Sequence, residues 1–186
     1  MRLITRRVPA TETQPEKSKK GIYHIDDHFL RFWFRYVHPN QSSLDLGLAD
    51  AILQQRIEPD LDHFVATAFE EAAITFTGRL AQTGQLDFFP ERIGGWWNRD
   101  AEIDVLAVNL SEKIALVGEC KWTVHPVGTS VLDDLKKKVE VLTKDHEINK
   151  VQFAIFARNG FTPDLEDRAK SDGIRLFTIE SFMDNN

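Results

Sequence analysis

Ala101-Glu102-Ile103-Asp104-Val105-Leu106-Ala107-Val108 and Lys113-Ile114-Ala115-Leu116-Val117-Gly118-Glu119-Cys120-Lys121-Trp122 are the stretches whose reading decides the fold. Both are rich in Ile, Val and Leu, and Asn109-Leu110-Ser111-Glu112 lies between them as a loop, which predicts two consecutive β-strands. Side chains alternate across a strand, so Glu119 and Lys121 share one face while Cys120 takes the other. On the preceding strand Asp104 interrupts an otherwise apolar run. Two carboxylates and a lysine are thus predicted on neighbouring, largely buried strands. Charge is costly there unless it is paired or binds a cation.

Hydrolysis of a phosphodiester with a divalent cation suits this set. Asp104 and Glu119 offer hard oxygen ligands, and the main-chain carbonyl of Cys120 adds a third. Mg²⁺ typically takes one or two carboxylates and fills its other positions with water and phosphate oxygens; Mn²⁺ is the other metal expected here. Lys121 is placed to orient the attacking water and to offset charge on the scissile phosphate. A buried Glu119–Lys121 ion pair with a purely structural role is the competing reading.

The apolar spacing predicts a helix from Asp60 to Thr77, with Gly78 as its cap and Leu61, Phe64, Val65, Ala68, Phe69, Ala72 and Phe76 as its inward stripe. Glu70 lies on an adjoining stripe with the small residues Ala66, Ala73 and Thr77. That stripe allows close approach to a sheet and brings Glu70 towards Asp104, with Glu71 as the alternative.

Composition narrows the class. The chain has 186 residues, 42% hydrophobic and 28% charged, enough for one substantial core and typical of an ordinary globular protein. No apolar run approaches the ~18 residues of a membrane span, and Arg2, Arg6 and Arg7 precede no apolar signal core. The single cysteine, Cys120, rules out an internal disulfide and agrees with a reducing, cytoplasmic location. The net charge is −6, yet residues 1–20 carry six of the 23 basic residues against two of the 29 acidic ones. Contact with a phosphate backbone is therefore expected to be local.

Three parts are expected along the chain. Residues 1–25 read as a hairpin, Leu3–Val8 and Gly21–Ile25, whose long loop bears Lys17, Lys19 and Lys20. Residues 26–58 read as a helical segment. Its aromatic run Phe29, Phe32, Trp33, Phe34 and Tyr36 is expected to be buried and to end at Pro39; a helix over Leu44–Ile57 is expected to end at Pro59. Residues 59–186 read as the core. It comprises the 60–77 helix, a first strand at Gln85–Phe89, the two strands above, a helix at Thr129–Leu142, a strand at Val151–Ala157, a helix at Pro163–Asp172 and a strand at Ile174–Ile179. This order predicts a mixed α/β sheet flanked by helices. Trp97, Arg99 and Lys138 join the three loop lysines as candidate nucleic-acid contacts.

Asp104 followed by Glu119-Cys120-Lys121 resembles the PD-(D/E)XK nuclease superfamily. The resemblance implies a restriction-endonuclease-like fold and a catalytic set of Asp104, Glu119 and Lys121, with Glu70 at the glutamate position of the first core helix. Ile103 stands where the superfamily name has proline. Lys17-Ser18-Lys19-Lys20-Gly21-Ile22-Tyr23, Phe29-Leu30-Arg31-Phe32-Trp33-Phe34-Arg35, Gly95-Trp96-Trp97, Glu102-Ile103-Asp104 and Gly118-Glu119-Cys120-Lys121-Trp122 further resemble the C-terminal domain of archaeal and bacterial DEXX-box ATPases. That resemblance implies a P-loop ATPase and a winged helix N-terminal to this segment, with residues 1–25 as a remnant of the wing. The chain holds no G-x-x-x-x-G-K-S/T, so no ATP site of that type is expected in it. Two functions follow as expectations: a metal-dependent DNA endonuclease module of an ATPase, or a non-catalytic nucleic-acid-binding or regulatory domain that keeps the fold.

Overall fold

The computed structural model describes residues 3–183. Strands β1 (Ile4–Arg7) and β2 (Ile22–Ile25) form an antiparallel hairpin. Its long connection folds back onto the main sheet: Ala10 N donates to Gly95 O at 2.9 Å, and the Arg92 guanidinium donates to the carbonyls of Glu12 and Thr13. The connection thus lies along a sheet edge, covering the backbone groups that an edge strand exposes.

Helix α1 (His28–Phe32) starts at an Asp27 cap, whose side chain accepts from Leu30 N. The chain then passes through a wider π-type turn at Trp33–Val37, a 3-10 turn at His38–Asn40, α2 (Gln41–Asp45), α3 (Ala49–Ile52) and a second π-type turn at Leu53–Ile57. Neither proline ends a helix as expected. Pro39 and Pro59 both sit in the first turn of a new helical piece, where the missing N–H costs nothing. The aromatic run is also not the buried element its composition predicts. Tyr36 is buried, but Phe29 is 68% and Phe34 51% exposed.

Helix α4 (Glu58–Gln82) is longer than the spacing predicts, and Gly78 lies within it. Its buried face is Phe69, Ala73, Phe76, Thr77 and Leu80, whereas Ala72 and Leu61 are exposed. The face pressed against the sheet therefore joins Phe69 and Phe76 of the expected inward stripe to Ala73 and Thr77 of the small-residue stripe.

The five strands follow in sequence order: β3 (Arg92–Trp97), β4 (Glu102–Asn109), β5 (Ile114–Lys121), β6 (Lys150–Ala157) and β7 (Arg175–Thr178). The first three form an antiparallel meander; β6 and β7 add in parallel through crossover helices α5 (Thr129–Asp145) and α6 (Pro163–Asp172). The expected strand at Gln85–Phe89 is not one. Leu86 and Phe88 plug the core beneath α4, and Gly94-Gly95-Trp96-Trp97 lies in the first strand instead. Alternate strand residues divide two cores. Val105, Ala107, Leu116 and Cys120 pack under α4, while Leu106, Val108, Ala115 and Val117 pack against Leu135, Val139 and Leu142 of α5. Helices α4 and α5 therefore cover opposite faces. Among the described residues no helix is long and apolar enough to cross a membrane.

Gly118 sits where the meander is tightest. A Cβ there would meet Phe156 Cε2 at 2.7 Å and Val105 Cβ at 3.1 Å. Gly118→Ala should destabilise the protein by about 1–3 kcal/mol, read as a lower urea midpoint. Gly84→Ala, at a turn glycine with open space around it, tests the separate effect of its positive φ.

Candidate functional site

The site begins with a bulge. Gly94 pairs with Leu106 and Trp96 with Ile103, so β4 spends one residue more than β3 between these two pairs. An extra residue breaks alternation and re-aims a side chain. Val105 keeps to the α4 face and Ile103 to the α5 face, with Asp104 between them. On the other side, backbone pairing of β4 with β5 stops at Val105–Gly118. There the Asp104 carboxylate takes over, accepting the Cys120 N–H at 2.8 Å. The N–H and C=O of a strand residue point to the same neighbour, so the Cys120 carbonyl also lies on this open β4 edge. Cys120 itself is buried under α4, and burial raises its thiol pKa.

Glu119 faces α5. Its Oε1 accepts from Lys121 Nζ at 2.8 Å and from Lys138 Nζ at 2.9 Å, and Lys138 also reaches Oε2 at 2.7 Å. Burial alone would lower the Lys121 pKa; the hydrogen bond and charge of Glu119, aided by Asp104, outweigh it and raise it. Glu70 comes from α4. Burial pushes its pKa up to about 7, with Asp104, Glu102 and Glu119 adding like-charge repulsion. Asp104 is pushed up to about 6 by burial and then by Glu119, against the opposing Cys120 N–H and the two lysines. The four charged groups proposed from the sequence, Glu70, Asp104, Glu119 and Lys121, thus converge on the open end of β4 and β5 from both faces. Among the described residues, however, no three His, Cys, Asp or Glu side chains are grouped so as to hold a metal ion.

A cleft of about 610 Å³ opens beside Asp104 and Glu70, walled by the hairpin residues Arg7 and His24, by Gly94 and Gly95, and by Trp97 and Glu102. Glu71, the alternative to Glu70, is committed elsewhere. It ion-pairs with Arg7 at 2.8 Å and Arg31 at 2.6 Å, tying the hairpin and α1 to α4, and despite burial these cations hold its pKa down.

The remaining nucleic-acid candidates are scattered. Lys17 and Lys19 are exposed on the long connection, and Lys20 pairs with Glu12 at 3.0 Å. Trp97 lines the cleft and its indole N–H donates to Lys20 O. Arg99 is exposed in the β3–β4 turn, and Lys138 is turned onto Glu119. Arg158 escaped the sequence reading. Its N–H donates to Lys121 O at 3.0 Å, and its guanidinium lies 4.6 Å from the Trp122 ring centre. The available signal was its place just beyond β6, at the carboxyl ends of parallel strands, where α/β sheets present ligand-binding groups.

A family model described as "Archaea bacterial proteins of unknown function" matches residues 33–148, well over half of the chain. The chain belongs to this family, DUF234. The DUF234 match contains Glu70, Asp104, Glu119, Lys121 and Lys138, while the hairpin and β6 onward lie outside it. The chain is also similar to "Uncharacterized protein MJECL04" of Methanocaldococcus jannaschii, 40% identical over 119 residues. That alignment takes in 64% of this chain and 26% of the relative, so the chain matches about a quarter of that protein's length. No solved structure matches the present chain.

The raised carboxyls carry a pH signature. Asp104 and Glu70 keep their protons to higher pH in the folded protein than their ordinary values of 3.8 and 4.5. Between about pH 4 and 7 the folded state therefore binds more protons than the unfolded chain, and their effect is to lower stability as pH rises. His24 and His146, both lowered by burial, pull the opposite way in part of that window. The informative quantity is thus the difference between variant and wild type. In EDTA, Glu70→Gln and Asp104→Asn should each melt higher than wild type at pH 7.5, with the gap closing towards pH 4.5. An equal gap at both pH values would contradict the assignment.

Proposed function

We propose that this domain is a restriction-endonuclease-like, metal-dependent phosphodiesterase module acting on DNA, within a longer protein that supplies a P-loop ATPase and a winged helix. One observation carries the reading: a bulged strand and an open strand end bring Asp104, Glu119 and Lys121 together at one end of the sheet, with Glu70 behind them. The donor set suits a hard divalent cation, Mg²⁺ or Mn²⁺. Asp104 has one oxygen that, among the described residues, accepts no hydrogen bond, and the Cys120 carbonyl faces the same end. Glu119 would complete the ligands, and the water and phosphate positions would stay open. A bound cation supplies Lewis acidity at the phosphate and charge for the developing oxyanion.

The chain's own groups do the rest. Lys121, held by Glu119 and kept protonated by it, orients the attacking water and offsets charge on the phosphate. Glu70, neutral or charged near pH 7, is positioned to exchange a proton with solvent beside Asp104. Trp97 and Arg99 on one side, and Trp122 with Arg158 on the other, flank this end as contacts for the strand.

A second reading, a binding or regulatory domain, is favoured by a specific feature. Phe29, Phe34, Leu46, Leu48 and Leu53 are all exposed on the irregular helical segment, a larger apolar display than isolated surface residues make. Supercoiled, branched and single-stranded DNA incubated with the purified protein and Mn²⁺ separates the two. The nuclease reading expects nicking or cleavage, reduced by 10²-fold or more in Lys121→Ala. No cleavage of any substrate, with the full-length ATPase protein also inactive, leaves the binding reading.

A further inference from the structure

Glu119 receives more positive charge than one carboxylate needs. Two ammonium groups hydrogen-bond to it, Lys121 through Oε1 and Lys138 through both oxygens. Asp104 meanwhile is held by a main-chain N–H, and Glu70 has no hydrogen bond or ion pair among the described residues. The lysine run on α5 is also divided by role. Lys136 turns to Asp172 and the Phe153 ring, and Lys137 pairs with Asp134 in solvent. Only Lys138 turns inward, its side chain 27% exposed against 7% for Glu119.

From this geometry, and resting on the phosphodiesterase reading, we infer that Lys138 and a divalent cation compete for Glu119, making Lys138 an exchangeable counter-ion of the site. Lys121 engages one oxygen and leaves Oε2 to others. Lys138 bridges both, so a cation that takes Oε2 must displace Lys138 while Lys121 stays. The exchange is feasible because lysine is a compact charge on a flexible stem, with no fixed fork to break. Without the lysine, the buried carboxylate would stand beside Asp104 with a single cation to balance both. Once displaced, the Lys138 ammonium remains at the rim of the site, within the reach of its stem to a phosphate bound there. Lys138 is thus a positioning and charge-balancing residue that tunes how much metal the site requires.

Mn²⁺ titrations of the full chain, followed by melting temperature and by loss of the free-Mn²⁺ paramagnetic resonance signal, test this without any substrate. Wild type should show a saturable rise in melting temperature. Lys138→Gln and Lys138→Met should reach half of that rise at Mn²⁺ concentrations on the order of tenfold lower, the size expected for removing a charged hydrogen-bond competitor. Lys137→Gln should keep the wild-type midpoint. If wild type responds but both Lys138 variants keep or raise the midpoint, the competition is overturned and the phosphodiesterase reading stands. If Lys137→Gln shifts the midpoint as far as Lys138→Gln, general charge rather than competition is responsible, and the inference fails. If no protein responds to millimolar Mn²⁺, the phosphodiesterase reading itself falls, and this inference with it.

Discussion

Beyond the Val105–Gly118 pair, β4 and β5 stop exchanging backbone hydrogen bonds, and the Asp104 carboxylate accepts the Cys120 N–H in their place. The rest of the site depends on this substitution. A buried N–H without a partner costs about 1–3 kcal/mol, so Asp104 is anchored by the same force that would otherwise zip the strands shut. The bulge opposite Gly94–Trp96 supplies the slack that lets Asp104 lean into the gap. Gly118, crowded by Phe156 and Val105, keeps the last paired position small enough for β4, β5 and β6 to remain in contact there.

Charge at the open end is distributed unevenly. Glu119 is satisfied by two lysines, whereas burial drives Asp104 and Glu70 towards their neutral forms, aided by Glu119 at Asp104 and by Asp104 at Glu70. Burial of charge is tolerated when partners compensate for lost water; here compensation is complete on the α5 face and incomplete on the α4 face. The resulting asymmetry separates a firmly held lysine–carboxylate pair from a labile acidic pair. Perturbed groups of this kind cluster at sites that bind or react, and structural ion-pair networks produce them too.

The hairpin and the helical segment close the α4 side. Glu71 receives both Arg7 from β1 and Arg31 from α1, and the Thr5 hydroxyl donates to Asp26 across the hairpin. These contacts set the cleft wall that faces Glu70 and Asp104. They also explain why two adjacent glutamates on one helix differ: successive helical positions are turned ~100° apart, so Glu70 meets the open end of β4 and β5 and Glu71 the arginines.

The sequence by itself determined the sheet's middle, its late crossover helices and the placement of Glu119 with Lys121, because period-two alternation and long apolar runs are local signals. It also carried Glu70, through the small residues Ala66, Ala73 and Thr77 on the same stripe. Tertiary structure decided what depends on partners distant in the chain. Arg92–Trp97 became the first strand because it pairs with β4, while Leu86 and Phe88 of the expected strand found a core to fill instead of a ladder. Pro39 and Pro59 began helical turns that they were expected to end, since at a first-turn position the missing N–H is one the helix leaves unpaired anyway. Within the aromatic run Phe32 and Tyr36 found Phe64 of α4 to pack against, whereas Phe29 and Phe34 stayed exposed. Lys138 was one of three consecutive lysines in the sequence; only the packing of α5 against β5 turned that one onto Glu119.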